Sequence, residues 1–97
     1  MRDVAILISP VSSAPAFHHG RGNYRPGDPF NYRDTMRFCQ WLNLAGFPGL
    51  SMPLGRSPEG LPINVQLIAR PFEEHLLLDV AASLERARGP WHAPPNL

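Results

Sequence analysis

The sequence predicts an α/β chain: a partial mixed β-sheet flanked by helices, in the order β, long loop, α, β, β, α. Three observations carry this reading. A continuous apolar run, "VAILIS", fills residues 4–9. Residues 47–70 hold two stretches of alternating apolar side chains around a Pro/Gly turn. Residues 31–46 and 71–89 repeat apolar residues at spacings of three and four. Elements in this order bury their apolar faces by stacking sheet against helix.

The first element, residues 1–9, ends in a β-branched-rich run closed by Pro10, the pattern of a strand buried on both faces rather than a surface strand. Residues 10–30 are Pro, Gly, Ser, His and Arg without periodicity, a loop longer than compact domains carry unless it is functional or covers something. Asn31 is a good N-cap for a helix over 32–42, and Asp34, three residues on, sets a carboxylate in the positive first turn. Met36, Cys39 and Leu42 or Asn43 share one face, Phe38 and Trp41 widen the stripe, and Gly46 and Pro48 end the helix.

In "GLSMPLG", Leu50, Met52 and Leu54 alternate with Ser51 and Pro53. Proline has no ladder donor, so this strand must lie at an edge, bulge or stop at Pro53. "SPEGLP" makes the turn. In "LPINVQLIAR", Ile63, Val65 and Leu67 take one face and Asn64, Gln66 and Ile68 the other, and the two polar residues require a partner. The last helix opens at Glu73 and Glu74, runs a stripe of Leu77, Val80, Ala81 and Leu84 broadened by Leu76 and Leu78, and closes through Arg86 and Arg88 before Gly89 and Pro90. The tail, 90–97, is too rich in proline to continue it. A strand as apolar as 4–9 needs neighbours that three strands and two helices scarcely supply, so the chain looks like part of a larger sheet.

Composition narrows function. At 97 residues the chain is one small unit with a modest core. A net charge of +1, with Arg scattered rather than striped, disfavours nucleic acid as a partner. No apolar run is long enough to span a membrane, and Asp3 and Pro10 spoil the likeness of the N-terminus to a secretory signal. A single cysteine, Cys39, permits no internal disulfide and suits the cytoplasm. All nine basic residues are Arg, so chemistry that needs a titratable lysine amine cannot be completed by this chain.

"DVAILISPVSSAPA", "NLAGFPGLSMPLG" and "SPEGLPINVQLIARPFEEHLLLDVAASLE" together resemble the C-terminal part of the amidase signature hydrolases. Asn43, Gly46, Pro48, Pro53, Gly55, Gly60, Leu61, Pro62 and Gln66 match that family's scaffold pattern in order and spacing. The resemblance implies a segment of one large sheet with helices on both sides. It also implies hydrolysis of carboxylic amides by a Ser nucleophile, a second Ser and a Lys base, all three lying upstream of the matched part. By that resemblance the 97 residues are a single amidase-like segment with no catalytic residue, no metal and no cofactor. It would be inactive alone and partnered by the rest of the amidase chain, by another copy, or by the other half of a split enzyme. A free-standing binding or assembly module on the same scaffold is the alternative. A small-molecule amide would be met only in the full enzyme.

The resemblance also brings the segment before Asn43 near the substrate pocket, which makes Met36, Phe38 and Trp41 candidates for its wall beside their role in packing. Glutamine-using amidotransferase subunits of the family carry Asp seven residues before that Asn. Here the place is Met36, whose thioether cannot hold an ammonium group, and this favours the general amidase branch. Other constellations have plainer explanations. Ser12 and Ser13 lack the flanking glycines of an oxyanion hole. His18 and His19 point apart on extended backbone, and His75 and His92 are distant, so no zinc site is expected. Cys39 reads as a small core residue. Asp34, Glu59, Glu73 and Glu74 are explained by helix starts and a turn.

Overall fold

Leu67 and Ile68 are neighbours in the chain, face opposite ways, and are both wholly buried. They belong to β3 (Pro62–Ile68), the central strand of a three-stranded sheet of order β1–β3–β2, with β1 spanning Leu7–Pro10 and β2 Gly49–Arg56. Both pairings are antiparallel. The computed structural model describes residues 1–20 and 32–92, and three helices complete it: α1 (Tyr32–Thr35), α2 (Arg37–Ala45) and α3 (Glu74–Arg88).

Each face of β3 has its own cover. Leu67 pairs across the ladder with Leu50, and Val65 with Met52. These four join Ala69 and Ile6 in a core closed by Leu77, Val80, Ala81 and Leu84 of α3. That is the stripe expected from the sequence. The other face meets α2: Leu42 is buried, and a Cβ built on Gly49 would lie 3.6 Å from its Cδ1, so glycine brings strand and helix close together.

On this second face sits the polar residue whose partner the alternation demanded. Gln66 is buried, and its Nε2 lies 2.9 Å from the Ser9 hydroxyl, 3.0 Å from the Pro10 carbonyl and 2.9 Å from the Phe38 carbonyl. The amide nitrogen has two hydrogens for three acceptors, so one hydrogen is shared. Its oxygen faces the Cys39 thiol, which also donates to the Val11 carbonyl at 3.1 Å. One carboxamide thus joins β1, β3 and α2.

Several expectations are corrected. The first strand is shorter than 4–9 and is not doubly buried: β1 lies at a sheet edge, and Ile8 is 59% exposed. Its apolar side chains meet only part of the neighbours they are suited to. The helix expected over 32–42 is broken at Met36, which takes bridge-region angles (φ −89°, ψ −3°), and α2 then continues to Ala45. Asn31 lies outside the described residues, and the Asp34 carboxylate pairs with Arg37. Of the loop placed at 10–30, Pro10 belongs to β1, residues 11–20 are irregular, and residues 21–30 lie outside the described residues, as do 93–97 of the tail. Leu78, expected to broaden the buried face of α3, is 62% exposed, bordering an open space between α3 and β2 that no side chain fills.

The glycines and prolines act where the sequence places them. Gly46 ends α2 in the left-handed region (φ 70°), its N–H and that of Phe47 both reaching the Leu42 carbonyl. Pro53 lies on edge strand β2, and the register slips between Pro53 and Gly55. Arg70 secures the start of the chain by donating from Nε to the Met1 carbonyl at 3.0 Å. Beyond it Phe72 has a left-handed backbone (φ 68°) and a side chain 90% exposed.

Because Gln66 is a buried donor to three acceptors, Gln66→Leu removes all three bonds and is expected to destabilise the chain by about 1–3 kcal/mol. Gln66→Glu sets a carboxylate against the same acceptors, which raises its folded pKa above the unfolded value of about 4.3. The folded form then holds a proton that the unfolded form loses, so stability falls as pH rises between those two values. Urea melts from pH 4 to 8 should show acid rescue of Gln66→Glu and none for Gln66→Leu.

Candidate functional site

The candidate site is the junction where the chain leaving β1, the first turns of α2 and the middle of β3 meet. Gln66 is its anchor, since its bond to the Phe38 carbonyl fixes the turn of helix that carries all three pocket-wall candidates. Met36 stands at the break between α1 and α2 and is half-buried, as is Phe38. Trp41, 39% exposed, meets the ring of Phe47 edge-on at 6.0 Å. Beside the junction is a cleft of 360 Å³ lined by Val11, Ser12, Ala14, Pro62, Ile63 and Asn64 among others. Met36, Phe38 and Trp41 do not line it.

The polar groups of the junction are engaged with the backbone or with the Gln66 carboxamide. Ser12 Oγ accepts from the Ala14 N–H at 3.3 Å, and Ser13 Oγ donates to the Asp34 carbonyl at 3.4 Å. Cys39 is directed at Val11 and Gln66. None of these bonds pairs a hydroxyl or thiol with a basic side chain. Among the described residues no group of three or more His, Cys, Asp or Glu could hold a metal ion.

The family-pattern residues divide by position. Asn43 is exposed on α2, Gly46 caps that helix, and the Pro48 carbonyl accepts from the Ala69 N–H at 3.3 Å. Gly55 follows the slip in β2. Gly60, at φ 86°, shapes the turn in which the Leu61 N–H reaches Ser57 Oγ at 3.2 Å, and Pro62 opens β3. In that turn the Ser57 hydroxyl, with the N–H of Glu59 itself, holds the exposed Glu59 carboxyl below the usual carboxylate value.

Two clusters escaped the sequence reading. Arg70 grips the backbone of the N-terminal segment at Met1 and Val4. Arg56 and Arg88 lie over the ring of Trp91, at 4.9 and 5.3 Å from its centroid. The only signal available for the second was an Arg three residues before a Trp at a helix end, which fixes no distant partner such as Arg56.

A sheet with a helix on each face defines an α/β scaffold. Comparison with known proteins then gives the family. The model of the family described as Amidase matches residues 1–78. A glutamyl-tRNA(Gln) amidotransferase subunit of Bdellovibrio bacteriovorus is 46% identical over 82 residues, and its counterpart in Anaeromyxobacter sp. (strain K) is 41% identical over 96. The matches cover 84% and 98% of this chain but 16% and 19% of those relatives. The solved 6-aminohexanoate cyclic dimer hydrolase superposes with a TM-score of 0.77 at 32% identity, over 90% of this chain and 20% of that one. The chain belongs to the amidase family, and it spans about a fifth of the length of these relatives. No helix among the described residues is long and apolar enough to cross a membrane.

Ser57→Ala removes the main hydroxyl partner of Glu59. Its carboxyl should then titrate closer to the ordinary value, by NMR of the side-chain resonances. A depressed pKa contributes stability that is present above the unfolded value and lost as pH falls through the folded one, so the variant's turn should be less sensitive to mild acid.

Proposed function

We propose that this chain is the C-terminal scaffold segment of a cytoplasmic amide carbon–nitrogen hydrolase, contributing sheet, helix and one pocket wall but no catalytic group. The observation that carries the reading is the family match along most of a chain that holds no lysine and equals a fifth of its relatives. The parent reaction forms an acyl-enzyme on a serine, releases ammonia or an amine, and hydrolyses the ester; both that serine and its lysine base come from the remainder of the enzyme. Met36, Phe38 and Trp41 form the wall, presented by α2 and held through Gln66.

The branch follows from Met36. Its uncharged side chain favours an amide less polar than glutamine, in keeping with the solved hydrolase, although the two sequence relatives are amidotransferase subunits. Exposed apolar side chains favour a covering partner: Ile8 on the edge strand, and Leu44, 92% exposed on α2. In our reading that partner is the remainder of the amidase, whether in the same polypeptide or in a second one.

The purified 97 residues should release no ammonia from linear amides, and addition of a polypeptide that carries the family's serine and lysine should restore release. Sustained hydrolysis by the chain alone, in a preparation freed of contaminating enzyme, would overturn the proposal.

A further inference from the structure

The end of α3 and the end of β2 are joined by a cluster that the proposed function does not use. Arg88 is the last residue of α3, and its side chain is only 10% exposed. Its guanidinium donates to the Pro53 carbonyl beside the register slip in β2 and to the Gly89 carbonyl at 3.2 Å, and it lies 3.5 Å from the Glu85 carboxylate. Arg56, the last residue of β2, donates to the Gly60 carbonyl at 3.0 Å and to the His92 carbonyl. The indole of Trp91 meets both guanidinium groups. The turn after β2, the tail after α3 and the slipped strand are therefore tied at one place.

The cluster borders a cavity. Between α3 and β2 lies a space of 260 Å³ whose lining includes Met52, Pro53, Leu78, Ala81, Glu85 and Arg88. Met52 belongs to the core, so the same seam that holds the cavity leads to the packed centre. A nearly buried guanidinium is stable only while its carbonyl, carboxylate and aromatic partners remain, because their loss leaves a desolvated charge. Trp91 is the part of that set borne by the tail.

We propose that Arg56, Arg88 and Trp91 form a clasp that holds the C-terminal turn of α3 on the slipped end of β2, so that opening the tail opens the α3–β2 seam while the Gln66 junction stays closed. The clasp is electrostatic and aromatic, whereas the rest of the seam, apart from Glu85, is apolar. Release of residues 90–92 therefore frees the end of the helix without requiring the core to unfold.

Hydrogen exchange on the 97-residue chain tests this. Trp91→Ala should speed exchange of the amides of residues 54–56 and 85–89 by about tenfold, with Gln66 and its ladder neighbours unchanged, and Trp91→Phe should restore most of the protection because a ring remains. Unchanged exchange in Trp91→Ala, or an equal rise throughout the chain, would overturn the clasp. A second measurement does not depend on the alanine variant folding. In Trp41→Phe, which leaves Trp91 as the sole indole, acrylamide should quench the fluorescence several-fold less than it quenches free tryptophan. Quenching at the free rate would mean that the ring is not held and would equally overturn the proposal.

Discussion

The Gln66 carboxamide is the interaction on which the arrangement depends. β1 reaches the rest of the molecule through a ladder of four residues, and α2 reaches the sheet chiefly through Leu42 and the Phe38 carbonyl. Without the amide, β1 would keep only that short ladder and α2 only the contact of Leu42. A buried amide with all its groups engaged defines one relative placement of three segments, whereas an apolar side chain of the same size would allow several. The placement of the proposed pocket wall is thus inherited from a residue in the sheet behind it.

The two faces of the sheet are unequal. The α3 face is packed by aliphatic side chains of both strands and the helix, and its geometry follows from burial alone. The α2 face is polar at its centre and short of apolar contact, and it adjoins the exposed edge of β1. A chain that spans about a fifth of its relatives would meet further structure on such a face. The division agrees with the proposed role, in which one side builds scaffold and the other looks toward chemistry.

What could be read from the sequence follows the same division. The stripe of α3, the strand pair around the SPEGLP turn, the glycine that ends α2 and the irregularity at Pro53 were legible, because local spacing and backbone chemistry decide them. The demand of Gln66 for a partner was legible, but the partners were not, since Ser9 and Phe38 are 57 and 28 residues away. The burial of residues 4–9 was misjudged because an apolar run reports the surroundings it suits, and these residues supply only part of them. The break at Met36 has no local signal in its residue type. The Arg56–Trp91 contact, across a turn, a strand and a whole helix, lay beyond any spacing rule.

Phe72 shows what the fold maintains without local return. A bulky L-residue in the left-handed region stores about 1–2 kcal/mol relative to glycine, and its ring lies almost wholly in solvent. Selection for the stability of these 97 residues alone would favour glycine there. The strained phenylalanine thus makes the chain a poor optimum by itself, and protein engineers who stabilise it residue by residue would replace that side chain first.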